Sequence, residues 1–500
     1  LWTGVKPSHL HLAPLLIPPM KPLLRTSLAL FLLLHFLPVS TAFGQPAPAD
    51  ARRLSDYTGT YAYRPKYGTV QYGTLELLPK DSVLLAIIDE AKYPLRWVRP
   101  NIFLNALGDT VTFRRDAAGQ VTGFSDGGTF NRRLKATTAM SAASLNARLL
   151  PNGSRPRYRY RAPDSAPADG LPAKALSGTA PALLTAMVQA VVDEQYPGVH
   201  SVLVWQRGRL ALEEYFYGHD RQKLQQLRSA SKSFVSALVG AAIQRQLISS
   251  DTARLLPYLP YASYAHPDAR KQAWTVQDFL TMRTGLDCND HDERTAGHEE
   301  KMYPQVDWVK FILDLPLTSA PGTQGAYCSG AVAVLGRVVE NVSGQRLPQF
   351  AEASLFRPLG ITTYKWNYTL GQSNPTVAQL FLTPRDLLKF GLLYLQRGRW
   401  QGQQVLPAAW VEKSLGKYTQ LGSKSYGYFW WHQPFMAGSR RVDTYLATGN
   451  GGQKLFVIPA LDAVVVFTGG NYNSATDTPP NKLMPQYVLP ALLAGEGAGK

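Results

Sequence analysis

At 500 residues the chain exceeds one ordinary domain, and its length suggests two or three. Its 45% hydrophobic content is normal for a globular protein with a large core. The net charge of +17 comes from scattered Lys and Arg with no basic tract, which points to a generally basic surface suited to an anionic cell envelope and away from nucleic acid.

The N-terminal region is patterned for export. Met20-Lys21-Pro22-Leu23-Leu24-Arg25 is a basic start, Leu28 to Val39 is almost wholly apolar, and Ala42 and Gly44 stand at −3 and −1 before Gln45. That is the plan of a secretory signal peptide, with an apolar segment short for a bilayer span. The expectation is residues 1–44 as upstream extension and signal peptide, and an exported mature protein, periplasmic or extracellular. An uncleaved segment would be its only link to a membrane. Two cysteines occur, Cys288 and Cys328, and in an oxidising compartment they either close a disulfide or remain buried thiols.

Between Leu54 and Phe130, β-like runs alternate with turns: "GTLELL", "SVLLAII", "NIFLN", "TVTFRR" and "QVTGF". This spacing predicts a small all-β accessory domain over 50–135, barrel or sandwich. Residues 136–175, rich in Ala, Pro, Arg and Ser, read as a linker or extended connection. From 176 to 498 the texture changes. "APALLTAMVQAVVDEQY" is an amphipathic helix, "VHSVLVWQRGRLALEEYF" a hairpin about Arg207-Gly208, and strand-like runs return at "RVDTYLAT", "KLFVIP" and "AVVVFTGG". Strands at both ends of this region enclose a helical block. The fold class is therefore α+β, with an antiparallel sheet assembled from both chain ends.

One stretch carries chemistry. "RSASKSFVSALVGAAI" places Lys232 in the first turn of a helix that is apolar nearly all round and therefore internal. A cation there opposes the helix dipole and loses its water. Ser229, three residues earlier, shares its face and sits among free backbone N–H groups. Burial and dipole together predict a lowered Lys232 pKa, and a neutral amine could take the Ser229 proton. A second Ser-x-x-Lys, Ser414 to Lys417, ends an ordinary amphipathic segment and reads as surface.

"LRSASKSF", "PGTQGAYCSGAVAVLG" and "ATGNGGQKLFVIP", in this order and spacing, resemble the three motifs of the serine β-lactamase and penicillin-binding-protein superfamily. The resemblance is closest to the class C β-lactamase-like serine hydrolases, with their esterase and 6-aminohexanoate-dimer hydrolase branch, and it runs from about Leu176 to Leu493. It implies a β-lactamase/transpeptidase-like domain in which Ser229 is acylated, Lys232 is its partner and Tyr327 is base or proton relay. Free tyrosine titrates near pH 10, so the relay needs Lys232 beside it. Ser329 stands where many members have asparagine and keeps one donor for substrate. Asn450-Gly451-Gly452 replaces the usual Lys or His motif, its glycines letting substrate backbone lie close, and the Gln453 and Ser229 N–H groups would form the oxyanion hole.

Asn450 brings no charge for a β-lactam or D-alanyl carboxylate, which favours ester or amide hydrolysis over a D-alanyl-D-alanine carboxypeptidase or β-lactamase. A non-catalytic envelope protein binding peptidoglycan or acyl ligands is the rival from another class. The acidic run Asp287 to Glu300 fails the calcium-loop and zinc patterns, so it reads as a solvated loop and no metal is expected. A disulfide between Cys288 and Cys328 would pin that loop beside Tyr327, where it could shape substrate access. The reading is an exported serine hydrolase acting on a small ester, amide or peptide, without cofactor or nucleic-acid partner.

Overall fold

The computed structural model describes residues 54–494, apart from 64–72, 81, 89–90, 106–107, 127–128, 139–141, 151–152, 165–168, 369–374 and 473–478. The signal-peptide expectation lies outside the described residues.

Eight strands form a closed barrel in chain order: β1 (Gly59–Ala62), β2 (Thr74–Lys80), β3 (Val83–Ile88), β4 (Ala91–Arg99), β5 (Ile102–Leu104), β6 (Thr110–Arg115), β7 (Val121–Asp126) and β8 (Thr129–Lys135). Every pairing is antiparallel, and β1 closes on β8. Alternate residues point inward, and an eight-stranded barrel has just room for side chains. Here that room holds an aromatic cluster, with Tyr57 edge-on to Phe103 at 5.0 Å and to Phe113 at 4.6 Å. The barrel touches the rest of the chain through Lys80, 2.8 Å from Glu194, and through Lys92 over the Tyr217 ring at 4.5 Å.

The connection that follows is not a free tether. Tyr158 donates its hydroxyl to Glu214 at 2.8 Å, Tyr160 donates to the Ala211 carbonyl at 2.8 Å, and Arg148 pairs with Glu214. It lies extended against the larger domain.

That domain is built on an antiparallel sheet. Its early strands are β9 (Val199–Gln206) and β10 (Arg209–Tyr215). Arg207 (φ 49°) and Gly208 (φ 77°) both lie left-handed, as a type I′ hairpin turn requires. A small separate sheet holds β11 (Gln225–Gln226), β12 (Lys365–Tyr368) and β13 (Pro375–Leu382), and β14 (Arg399–Trp400) pairs β15 (Gln403–Gln404). The late strands are β16 (Thr419–Leu421), β17 (Lys424–Tyr426), β18 (Trp431–Ala437), β19 (Arg440–Gly449), β20 (Gln453–Ile458) and β21 (Ala463–Gly469). The large sheet runs β10-β9-β21-β20-β19-β18-β17-β16, so the two ends of the domain meet at β9 and β21.

Strands β9, β20 and β21 are buried on both faces, which explains their near-continuous apolar sequence. On one face Val465 and Phe467 pack with helix α1 (Ala180–Val192) and the C-terminal helix Leu489–Ala494. On the other, Val464 and Val466 join the core of the helical block. Helix α2 (Ser231–Gln244) is central to that block and buried from Ser231 to Ala242. It packs on α3 (Ser329–Ser343) and on α4 (Pro384–Leu395), where Phe234 stacks on Phe390 at 3.7 Å.

Cys288 and Cys328 are joined by a disulfide across 40 positions, fastening the 288–300 loop to the start of α3. For a loop of that length the double substitution Cys288→Ser/Cys328→Ser is expected to lower stability by about 2–4 kcal/mol. Urea midpoints with and without reductant check this; a midpoint equal in all forms refutes it.

Candidate active site

Ser229 lies in a 3-10 turn, Arg228–Ala230, that leads straight into α2. The preceding residue, Arg228, is left-handed at φ 51° without being glycine, a conformation that costs on the order of 1 kcal/mol and persists only where its surroundings hold it. Its guanidinium sits 4.6 Å from the Tyr472 ring centroid. The turn leaves Ser229 half-exposed, while Lys232 behind it is only 1% exposed. Lys232 Nζ donates to Ser229 Oγ at 2.7 Å and lies 5.1 Å from the centre of the Tyr327 ring. Hydroxyl, ammonium and phenol thus come together from two separate motifs.

The electrostatics reverse one expectation. Burial pushes the Lys232 ammonium down, as the sequence suggests, but the Tyr327 phenol and the Glu299 and Asp290 carboxylates outweigh it. Its pKa stands above that of an ordinary lysine. The sign is set by groups from distant segments that local sequence does not reveal.

Those carboxylates also correct the reading of the acidic run. Glu293 faces solvent and Asp292 pairs with exposed Arg294, but Asp290 and Glu299 turn inward onto Ser329. Asp290 accepts the Ser329 N–H at 2.7 Å and the Glu299 N–H at 3.2 Å, and its own N–H donates to the Tyr327 carbonyl at 2.7 Å. Glu299 accepts the Tyr303 hydroxyl at 2.8 Å and the Ser329 hydroxyl at 3.1 Å. Burial pushes the Asp290 carboxyl up to about 6, with Glu299 adding to the rise and Lys232 opposing it. Ser329, expected to donate to substrate, is committed to this pair instead.

The third motif reaches Ser229 through β19 and β20, which pack on the 228–230 turn. A Cβ at Gly449 would overlap the Leu227 carbonyl, so the missing side chain lets strand and turn approach. Asn450 is exposed at the turn, and Gly451 (φ 90°) and Gly452 (φ 94°) both need the left-handed region. A Cβ on Gly451 would also strike the Tyr472 ring. Gln453 pairs with Gly449 across the ladder, and its buried amide donates to the Gly469 carbonyl at 2.5 Å and accepts the Gly469 N–H at 3.2 Å. Its side chain is thereby used to fix the sheet, so only its main chain is left for an oxyanion.

Aromatic rings surround Tyr327: His291 stacks at 5.4 Å, Trp431 lies at 5.5 Å and Tyr426 stands edge-on at 6.2 Å. Arg228, Gly449, Asp290 and Glu299 are the site residues that sequence reasoning missed. The glycine's signal was its place just before Asn450-Gly451-Gly452. The second Ser-x-x-Lys is half corrected. Lys417 is exposed, but Ser414 is buried, its hydroxyl donating to the Trp410 carbonyl at 2.7 Å.

A domain of this topology, with a lysine-paired serine at the head of a buried helix, is that of a serine hydrolase of the β-lactamase fold. The sequence profile of the Beta-lactamase family matches residues 182–487, and the chain belongs to that family. The 6-aminohexanoate-dimer hydrolase of Paenarthrobacter ureafaciens is 26% identical over 299 residues, spanning 52% of this chain and 70% of that protein. The "Putative D-alanyl-D-alanine carboxypeptidase" of Escherichia coli K12 is 36% identical over 67 residues, 13% of this chain and 15% of that one. Among solved structures, the "Putative 6-aminohexanoate-dimer hydrolase from Bacillus anthracis" superposes with a TM-score of 0.50 at 18% identity, covering 61% of this chain and 81% of that chain.

If Gly449 sets the approach of strand to turn, Gly449→Ala moves the third motif away from Ser229. Hydrolysis of a short-chain nitrophenyl ester is then expected to fall about 10²-fold in kcat/KM, the scale of an ångström's misplacement. An unchanged kcat/KM with an intact circular dichroism spectrum counts against that role.

Proposed function

We propose that this protein is an exported serine hydrolase that cleaves a small ester or amide through a seryl acyl-enzyme. The observation that carries the reading is the 2.7 Å hydrogen bond from buried Lys232 to half-exposed Ser229, beside the Tyr327 ring. Ser229 Oγ bonds to the carbonyl carbon while its proton passes to the Tyr327 oxygen and from there to the leaving oxygen or nitrogen as that bond breaks. The Lys232 ammonium donates to the Ser229 oxygen. Water then attacks the acyl-enzyme, the acid departs and the Ser229 hydroxyl is restored. The Ser229 and Gln453 N–H groups are the proposed oxyanion donors, each worth about 10²–10³ in turnover.

The relative named for hydrolysing a 6-aminohexanoate dimer supports a small-molecule substrate. Export rests on the Met20–Gly44 pattern and agrees with a disulfide, a bond that persists in oxidising compartments. The barrel over 59–135 is proposed as an accessory domain, its interior being occupied by aromatic side chains. A second reading, a D-alanyl peptidase or β-lactamase, draws on the 67-residue match, but exposed and uncharged Asn450 offers no counter-ion for the substrate carboxylate.

Intact-mass detection of a fluorophosphonate adduct on the wild type, lost in Ser229→Ala, is the expected result. A folded wild type that never labels favours a binding protein instead. Lys232→Met should lower nitrophenyl ester turnover by about 10²–10⁴-fold. Turnover of a chromogenic cephalosporin above that of the ester would move the assignment to the second reading.

A further inference from the structure

We propose that Asp290 and Glu299 are positioning residues for the reaction at Ser229: they hold Lys232 as a charged hydrogen-bond donor to the serine oxygen. This inference rests on the acyl-enzyme reading and adds to it what Lys232 does.

The geometry is that of a closed network. Asp290 is tied by its own N–H to the Tyr327 carbonyl and by one carboxylate oxygen to the Ser329 N–H, so it moves with the tyrosine and with the start of α3. Its other oxygen takes the Glu299 N–H, and Glu299 is held in turn by the Tyr303 and Ser329 hydroxyls. The Cys288–Cys328 disulfide fastens the loop within two positions of Asp290 and next to Tyr327. A loop meant only to face water needs none of these ties. The charged and titratable groups around the pair are Lys232 from α2, Arg228 from the turn before it, Tyr327 from the second motif, Tyr303 from the helical turn after Glu299, and His291 on the rim. Tyr327 first, then both carboxylates, act on Lys232 in the same direction, against its burial.

A buried ammonium whose negative neighbours are removed gives up its proton more easily. As an ammonium, Lys232 donates to Ser229 Oγ and stabilises negative charge as it develops there. As a neutral amine it loses most of that effect. Charge, and not hydrogen-bonding shape alone, is therefore what the pair contributes.

The test is the pH dependence of fluorophosphonate labelling at Ser229, followed by intact mass from about pH 6 to about pH 10.4, the free-lysine value. The expected wild-type rate shows no alkaline decline in that range. In Glu299→Gln the decline enters the range, displaced by about one pH unit or more, a tenfold change in proton affinity. Glu299→Asp, which keeps the charge, retains the wild-type profile, and Asp290→Asn, where it folds by its melting curve, behaves as Glu299→Gln does. A wild-type profile in Glu299→Gln overturns the inference, as does a Glu299→Asp variant shifted as far as Glu299→Gln. A wild type that does not label at all removes the nucleophile reading beneath it, so the two failures are told apart.

Discussion

A lysine ammonium buried in the first turn of an apolar helix is the constraint around which the larger domain is arranged. Taking such a charge out of water costs several kcal/mol, and leaving it unpaired costs about 3–5 kcal/mol. Lys232 escapes that outcome because three segments converge on it: the Ser229 turn, the Tyr327 motif, and the 288–300 loop with its two carboxylates. An ammonium near a ring face contributes about 0.5–2 kcal/mol, so the phenol alone does not suffice. Tyr327 first, and with it the Glu299 and Asp290 carboxylates, make a charged Lys232 tolerable. The disulfide and the hydrogen bonds from Ser329 and Tyr303 are then the means of keeping two anions near one cation.

What could be read in the sequence followed from how local each cause was. The β9–β10 hairpin was legible because alternating residues and Arg207-Gly208 specify it within a few positions. The buried strand pair β20–β21 was legible from continuous apolar runs bounded by a turn, and an all-β domain from evenly spaced short strands, which left barrel and sandwich open until the pairing of β1 with β8 closed it. Ser229 and Lys232 stood out because a cation conflicts with the helix around it, and such local conflict marks function.

The sign of the Lys232 shift was not legible. Burial and helix dipole both act downward and are visible in the helix itself, whereas the opposing groups lie 58 and more positions away and meet it only in the fold. The inward turn of Asp290 and Glu299 was hidden for the same reason: composition describes a solvated loop, and only Ser329, Tyr303 and the disulfide say otherwise. Ser414 teaches the converse. Its hydroxyl is satisfied by the Trp410 carbonyl four residues back, so a polar residue at a helix end enters the core cheaply.

The sheet imposes the last condition on the site. The loop that carries Asn450, Gly451 and Gly452 joins β19 to β20, and β20 is held in register by β21, which pairs with β9 from the start of the domain. Ser201 and Thr468, whose hydroxyls lie 2.7 Å apart across that seam, are 267 positions apart in the chain. Gly449 then brings the strand against the left-handed turn at Arg228, where a local strain of about 1–3 kcal/mol is sustained only by the structure packed around it. The conformation of Ser229, the backbone N–H groups near it and the charge beside it are thus products of contacts distant in sequence. Separate stretches of the chain carry the motifs, but none of them contains the site.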